Sequence, residues 1–186
     1  MTNTDPDIRE KAEEIIFGMW DTLTEDERKE ISEHLTIEEF QKNEYIYKEL
    51  EIPKCIKWLI SGKVKICKSG VTGRDQILRT IVPSEIFSFR AYFANDDYLT
   101  SALSFGHSVV ASVPMTIIDK LLHTNIQVCR KLIKQLAKEL GKADSRTVSL
   151  TQKHIRGRLA ESLITLKNSY GLEEDGYTLS IYLSRE

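Results

Sequence analysis

The chain has 186 residues, with 26 basic and 28 acidic side chains, a formal net charge of -2 and 41% hydrophobic residues. That length means one medium domain, or one domain with a small appendage, and it is enough to bury a core without disulfide or metal staples. So even a charge balance excludes a chain-wide electrostatic grip on nucleic acid or anionic membrane, and any DNA contact must be local.

Residues Asp7–Leu23 carry apolar positions at Ala12, Ile15, Ile16, Met19, Trp20 and Leu23, a spacing that predicts an amphipathic opening helix with its acids toward the start. Thr24 followed by Glu27 fits a capping box, in which hydroxyl and carboxylate each satisfy an orphan amide of a short second helix ending near Leu35. From Thr36 the pattern changes to short β-branched or aromatic segments: Tyr45–Tyr47, Cys55–Ile60, Lys63–Lys68, Gln76–Val82, Glu85–Phe87, Thr100–Phe105 and Ser108–Val113. Turn signals separate them at Ile52-Pro53-Lys54, Ser61-Gly62, Ser69–Gly73, Pro83-Ser84, Asn95–Asp97 and Gly106-His107. Many short strands at near-even spacing read as an antiparallel sandwich or barrel.

Helical spacing resumes after Pro114, through Ile117–Leu122, and then runs from about Asn125 to His154. Along that stretch Cys129, Ile133, Leu136, Leu140, Ala143, Thr147, Leu150 and His154 follow one another in unbroken steps of four and three, which is a heptad seam. The helix is expected to be roughly 45 Å long at 1.5 Å per residue. A narrow seam on so long a rod needs more cover than a small β-domain supplies, so the expected partner is a second copy, in a parallel homodimer with Cys129 through Leu150 at the interface. Gly141 and the weak seam residues Ala143 and Thr147 are what an ordinary core-facing helix would also tolerate. Ile155–Leu166 then offers another amphipathic helix closed by Gly171, Tyr177–Leu183 alternates like a strand, and Ser184-Arg185-Glu186 reads as the N-cap of a helix.

The longest apolar runs, such as Ile56–Ile60 with Lys57 inside it, fall far short of the roughly 20 residues that cross a bilayer. Met1–Lys11 lacks the basic start and apolar stretch of a secretion signal, so no membrane is expected as a partner and the cytoplasm is the expected compartment. Cys55, Cys67 and Cys129 are scattered, with no CxxC pair, and read as reduced core or interface thiols.

Helix, β-barrel, long helix, then a short helix and the opening of a hairpin resembles the cyclic-AMP receptor/FNR (CRP/FNR) family of bacterial transcription regulators. The residues that carry this are Ile56–Ile66, similar to the family's apolar strand, Gly62 turn and return strand, together with Arg156-Gly157-Arg158-Leu159-Ala160 followed by Leu163, and Leu179–Glu186. The resemblance spans roughly Thr24 to Glu186. It implies an α+β fold: an antiparallel β-barrel or jelly roll of the cyclic nucleotide-binding kind, with N-terminal helices and a long C-terminal dimerisation helix. The implied organisation is an effector-sensing domain over 1–124, a dimerisation helix over 125–154, and, over 155–186, a hinge with the start of a truncated winged helix-turn-helix domain.

In this family a cyclic nucleotide lies inside the barrel, its phosphate at a short helix start with Gly-Glu and Arg-Ser pairs closing over it. The matching stretch here is Ile86–Phe93, then Thr100-Ser101, so the implied effector pocket is Phe87, Ser88, Phe89, Arg90, Thr100 and Ser101, with Ala143 and Asp144 where the family's purine contacts stand. Ser88-Phe89 replaces Gly-Glu, Thr100 replaces the phosphate-binding Arg, and Leu50 replaces a turn Gly. Arg90 restores a positive charge nearby, or else pairs with Glu85, Asp96 or Asp97 at the surface. A cyclic nucleotide therefore stays open as the effector while its phosphate and ribose ligands are missing. With Phe87, Phe89, Tyr92 and Phe93 around the site, an unidentified smaller or more apolar effector, or none, fits better.

An iron–sulfur sensor needs thiolates near the N-terminus, and the first cysteine is Cys55. Haem needs an axial ligand in a pocket, and His107, His123, His154 or Cys129 could serve, but the three histidines fall at a turn, a helix end and a hinge, where surface or capping roles fit better. A cupin-type metal enzyme needs two or three His inside the barrel and only His107 lies in the β region, so no enzymatic activity and no metal site are expected. The expected function is the sensor and dimerisation part of a DNA-binding regulator. A ligand would shift the long helices, the hinge at Gln152, Lys153 and His154 would re-aim the DNA-binding domains, and DNA would be met through a C-terminal domain absent or incomplete in this chain. The alternative is a free-standing cyclic-nucleotide-binding-like module acting on a protein partner.

Overall fold

The computed structural model describes residues 6–70 and 75–181, and it divides the chain into two compact units, Met1–Ile133 and Lys134–Glu186. In the first unit, helix α1 (Pro6–Met19) buries Ala12 and Ile16 one turn apart, a stripe that Trp20 and Leu23 continue past its end. Helix α2 (Glu25–His34) opens on the expected capping box: Thr24 Oγ1 accepts from the Glu27 amide at 3.3 Å and Glu27 Oε2 accepts from the Thr24 amide at 2.8 Å.

Eight strands follow: β1 (Thr36–Phe40), β2 (Tyr45–Tyr47), β3 (Cys55–Ser61), β4 (Val64–Ser69), β5 (Asp75–Ile81), β6 (Ile86–Phe87), β7 (Ser101–Ser104) and β8 (Ser108–Pro114). They form two four-stranded antiparallel sheets in the orders β1-β8-β3-β6 and β2-β7-β4-β5, the strand sharing of a jelly roll. The inner faces meet around Tyr47, Leu59, Ile66, Phe87, Tyr98 and Val110. Strand β3 is buried on both sides: Leu59 faces into the barrel, while Trp58 meets Trp20 edge-on, ring centroids 5.2 Å apart. Two-sided burial is why this strand reads as a continuous apolar run rather than an alternation. Gly62 turns the chain into β4 at φ 86, the positive φ expected for it.

Between β6 and β7 lies the short helix α3 (Phe89–Ala94), entered through Ser88 at φ 74. Helix α4 (Met115–Thr124) buries Met115, Ile117, Ile118 and Leu121. Helix α5 (Ile126–Gln152) starts in the first unit, where Val128 and Leu132 are buried, the Asn125 amide group donates to the Thr22 carbonyl at 3.1 Å, and Lys131 Nζ reaches Asp21 Oδ1 at 2.6 Å and the Met19 carbonyl at 2.9 Å. The rest of α5 and helix α6 (Ile155–Tyr170) belong to the second unit.

Two expectations need correction. Thr36–Phe40, assigned to no element by its pattern, is strand β1: it exposes Glu38 and Glu39, and its place is decided by backbone pairing with β8. Tyr177–Leu183 does not form a strand among the described residues. Leu179 makes one antiparallel bridge to Leu172 around a turn in which Asp175 Oδ1 accepts from the Tyr177 and Thr178 amides at 2.8 Å. A lone two-stranded ribbon with Tyr177 fully in solvent has no face to bury and does not extend. The N-cap read at Ser184–Glu186 lies outside the described residues.

Candidate functional site

The segment from β6 through α3 to β7 brings most of the expected pocket residues together. Phe87 is buried in the barrel core and Phe89 packs edge-on against Phe93, with centroids 6.3 Å apart. Ser88, left-handed and buried, donates its hydroxyl to the Cys55 carbonyl at 2.7 Å and is hydrogen-bonded to the Tyr98 side chain. Thr100 is buried with its hydroxyl hydrogen-bonded to Tyr47, and Ser101 Oγ accepts from the Glu49 amide at 2.9 Å. Arg90 is exposed and, among the described residues, makes no ion pair with Glu85, Asp96 or Asp97. Its charge instead acts on Tyr47, together with that of Arg79. Two residues on, Tyr92 donates its hydroxyl to Asp119, joining α3 to α4, and this bond holds the Tyr92 phenol above its ordinary pKa.

Two residues that pattern alone did not single out occupy the middle of the barrel. Tyr47 and Tyr98 stack with centroids 3.9 Å apart and planes 21° from parallel. Burial pushes both phenols up, Tyr98 to about 12, with the Ser88 and Thr100 hydroxyls pulling the other way. The inward position of Tyr47 was readable from the alternation of Tyr45-Ile46-Tyr47, whereas Tyr98 comes after the Asn95–Asp97 turn, where no period exists to aim it. The interior is thus a packed aromatic stack hydrogen-bonded to two hydroxyls, with cationic charge acting on it.

A third unanticipated residue is Lys57. Cross-strand register sets Thr36, Ser112, Lys57 and Phe87 in one row, on the inward face of the sheet. Lys57 is 9% exposed; Nζ donates to Ser112 Oγ at 2.8 Å and stands 3.8 Å from Glu38 Oε2. Burial draws its pKa down, with Glu38 and Cys55 opposing. Its sequence signal was the single charge inside the Ile56–Ile60 run.

Along α5, Ile133, Leu140, Ala143 and Thr147 are exposed, and Leu136 and Cys129 are half-buried. The Leu150 side chain lies outside the described residues. Ala143 and Asp144 are exposed on the second unit. Gln152 is the last residue of α5, and Lys153 and His154 separate it from α6. Across that break Glu161 accepts from both Ser149 Oγ and Lys153 Nζ. The remaining histidines sit at the surface, His34 Nδ1 against the Glu30 carbonyl at 2.9 Å, His107 Nε2 against Glu39 at 3.0 Å and His123 Nδ1 against the Asp119 carbonyl at 2.7 Å. Among the described residues no helix is long and apolar enough to cross a membrane.

Comparison with known proteins bears directly on this architecture. Residues 37–125 match the cyclic nucleotide-binding domain family. This segment has the cyclic nucleotide-binding fold. Two curated relatives extend the likeness beyond it. The CRP-like cAMP-activated global transcriptional regulator of Mycobacterium tuberculosis is 24% identical over 138 residues, 74% of this chain and 62% of the relative. The anaerobic regulatory protein of Bacillus subtilis is 26% identical over 153 residues, 81% of this chain and 64% of the relative. Among solved structures, FixK2 from Bradyrhizobium japonicum superposes with a TM-score of 0.66 at 25% identity, over 72% of this chain and 66% of that one. The resemblance to CRP/FNR regulators therefore holds, and the chain spans a little under two thirds of the length of the curated relatives it matches.

The cyclic nucleotide-binding fold keeps its backbone where its side chains depart from the resemblance. Ser88 and Leu50, both standing where glycine was expected, adopt φ 74 and φ 70, the left-handed conformation that glycine takes without strain. The Leu50 amide donates to the Tyr98 carbonyl at 2.8 Å, so this strained turn braces the segment that carries the stacked tyrosine.

Proposed function

We propose that this chain is the sensor and dimerisation part of a CRP/FNR-type transcription regulator, non-enzymatic and cytoplasmic. The observation that carries this reading is a jelly-roll barrel followed through α4 by a long helix that exposes Ile133 at 59% and Leu140 at 64%. That arrangement goes with relatives named as transcription regulators. In this reading residues 1–124 sense, 125–154 dimerise through Cys129, Ile133, Leu136, Leu140, Ala143, Thr147 and Leu150, and 155–186 lead toward DNA-binding elements. Phe87, Ser88, Phe89, Arg90, Thr100 and Ser101 surround the effector. Occupancy changes the barrel where β6, α3 and β7 meet, the Tyr92–Asp119 bond passes the change to α4, and the break at Gln152–His154 lets the C-terminal segment be re-aimed.

A gel shift with the full-length natural gene product and its own upstream DNA tests the regulator reading. Retardation of a specific fragment at physiological salt is expected. Equal affinity for unrelated DNA at every salt concentration would leave only the module acting on a protein partner.

A further inference from the structure

Lys57 carries more than packing. Among the described residues it is the one charged side chain that is buried, and an ammonium removed from water is costly unless its charge and its protons are both met. Here they are half met. One proton goes to Ser112 Oγ at 2.8 Å, while the nearest carboxylate, Glu38, stands 3.8 Å away, beyond hydrogen-bond range, on a side chain that is 54% exposed. Glu38 and Thr36 belong to β1, an edge strand of its sheet, and both are exposed, so Glu38 can swing away from Nζ into solvent. A desolvated cation aimed by a hydroxyl, with a loosely held carboxylate in front of it, has the form of an anion site covered by a weak internal occupant.

We propose that Lys57 and Ser112 form an oxyanion-binding site at the rim of the barrel, taking the carboxylate or phosphate group of a small molecule in place of Glu38. The site shares a sheet with β6, and Lys57 pairs across strands with Phe87, but it is built with β8 and the edge strand β1 where the β6–α3–β7 pocket uses α3 and β7, and its link to α4 is short. Ser112 lies three residues before Met115, whose amide begins α4 with a hydrogen bond to the Lys54 carbonyl at 2.9 Å, just ahead of β3. An anion seated on Ser112 and Lys57 therefore presses on both strands that hold the start of α4. Use of this site as a sensor rests on the regulator reading; binding itself is a property of this chain.

The test is a chemical-shift titration of the isotopically labelled 186-residue chain with two probes, benzoate for the carboxylate and phenyl phosphate for the phosphate. Saturable shifts at Lys57, Ser112 and Glu38 are expected with at least one probe, and the probe that saturates identifies the group recognised. Lys57→Met should weaken that binding at least about tenfold, the loss of one charge-assisted contact, and Glu38→Gln should tighten it several-fold by removing the competing carboxylate. Glu38→Gln changes only an exposed side chain, so it decides the matter even where Lys57→Met fails to fold. No saturable shift with either probe, equal binding in Lys57→Met, or unchanged or weaker binding in Glu38→Gln would each overturn the site. None of these outcomes touches the gel shift, so the two readings fail separately.

Discussion

Gly62 is a residue whose only tolerable side chain is a hydrogen atom. At φ 86 a Cβ would stand 2.6 Å from Ser108 Cα and fall on the His107 carbonyl oxygen, and neither backbone atom can swing aside. The neighbouring Ser108 hydroxyl accepts from the Lys63 amide at 3.1 Å and donates to the Lys63 carbonyl at 3.0 Å, so displacing it also breaks the pin that holds the turn. Gly62→Ala is expected to destabilise the protein by about 3 kcal/mol, combining left-handed strain with overpacking, read as a lower urea midpoint at unchanged slope. Titration gives a second residue-scale prediction. Between the ordinary tyrosine value of 10.0 and about 12, the unfolded chain has lost the Tyr98 proton while the folded chain keeps it, so stability falls as pH rises through that interval. Tyr98→Phe should flatten that alkaline limb in urea melts run at successive pH values. Lys57 has the opposite sign, since just below the ordinary lysine value the unfolded chain binds the proton that the folded chain gives up.

At the scale of elements, the long helix was the most legible part of the chain, because steps of four and three over eight positions cannot arise from a strand. It ends at Gln152, within two residues of the expected limit. Its seam makes the sharpest prediction. Leu136→Glu combined with Leu140→Glu should convert a dimer into monomers in sedimentation, and a dimer that survives both charges would mean that another surface holds it. Elements under seven residues were less legible. Helix α3 is too short to display a period, so only resemblance placed a helix there, and Thr36–Phe40 hides its strand character behind two glutamates that face solvent. Both are decided by contacts distant in sequence, such as Thr36 opposite Ser112.

Over the whole molecule, the barrel could be read from its punctuation: turn residues at near-even spacing divided the middle of the chain into the strands that pair in the two sheets. The candidate site was readable only along its continuous stretches. Phe87 to Arg90 and Thr100 to Ser101 come together because one short connection carries them, whereas Tyr47 and Tyr98 enter from β2 and a loop, and only closure of the barrel makes them neighbours.

The stacked phenols at the centre have a consequence for any guest. A cavity filled with water would offer an occupant little resistance, but an effector proposed to enter between these rings would have to displace an incumbent tethered to the protein. Measured affinity would then equal the intrinsic affinity scaled by the fraction of molecules in which the rings have stepped apart. In the proposed sensor, signal strength would be set as much by how firmly it holds its own placeholder as by how well it grips the messenger.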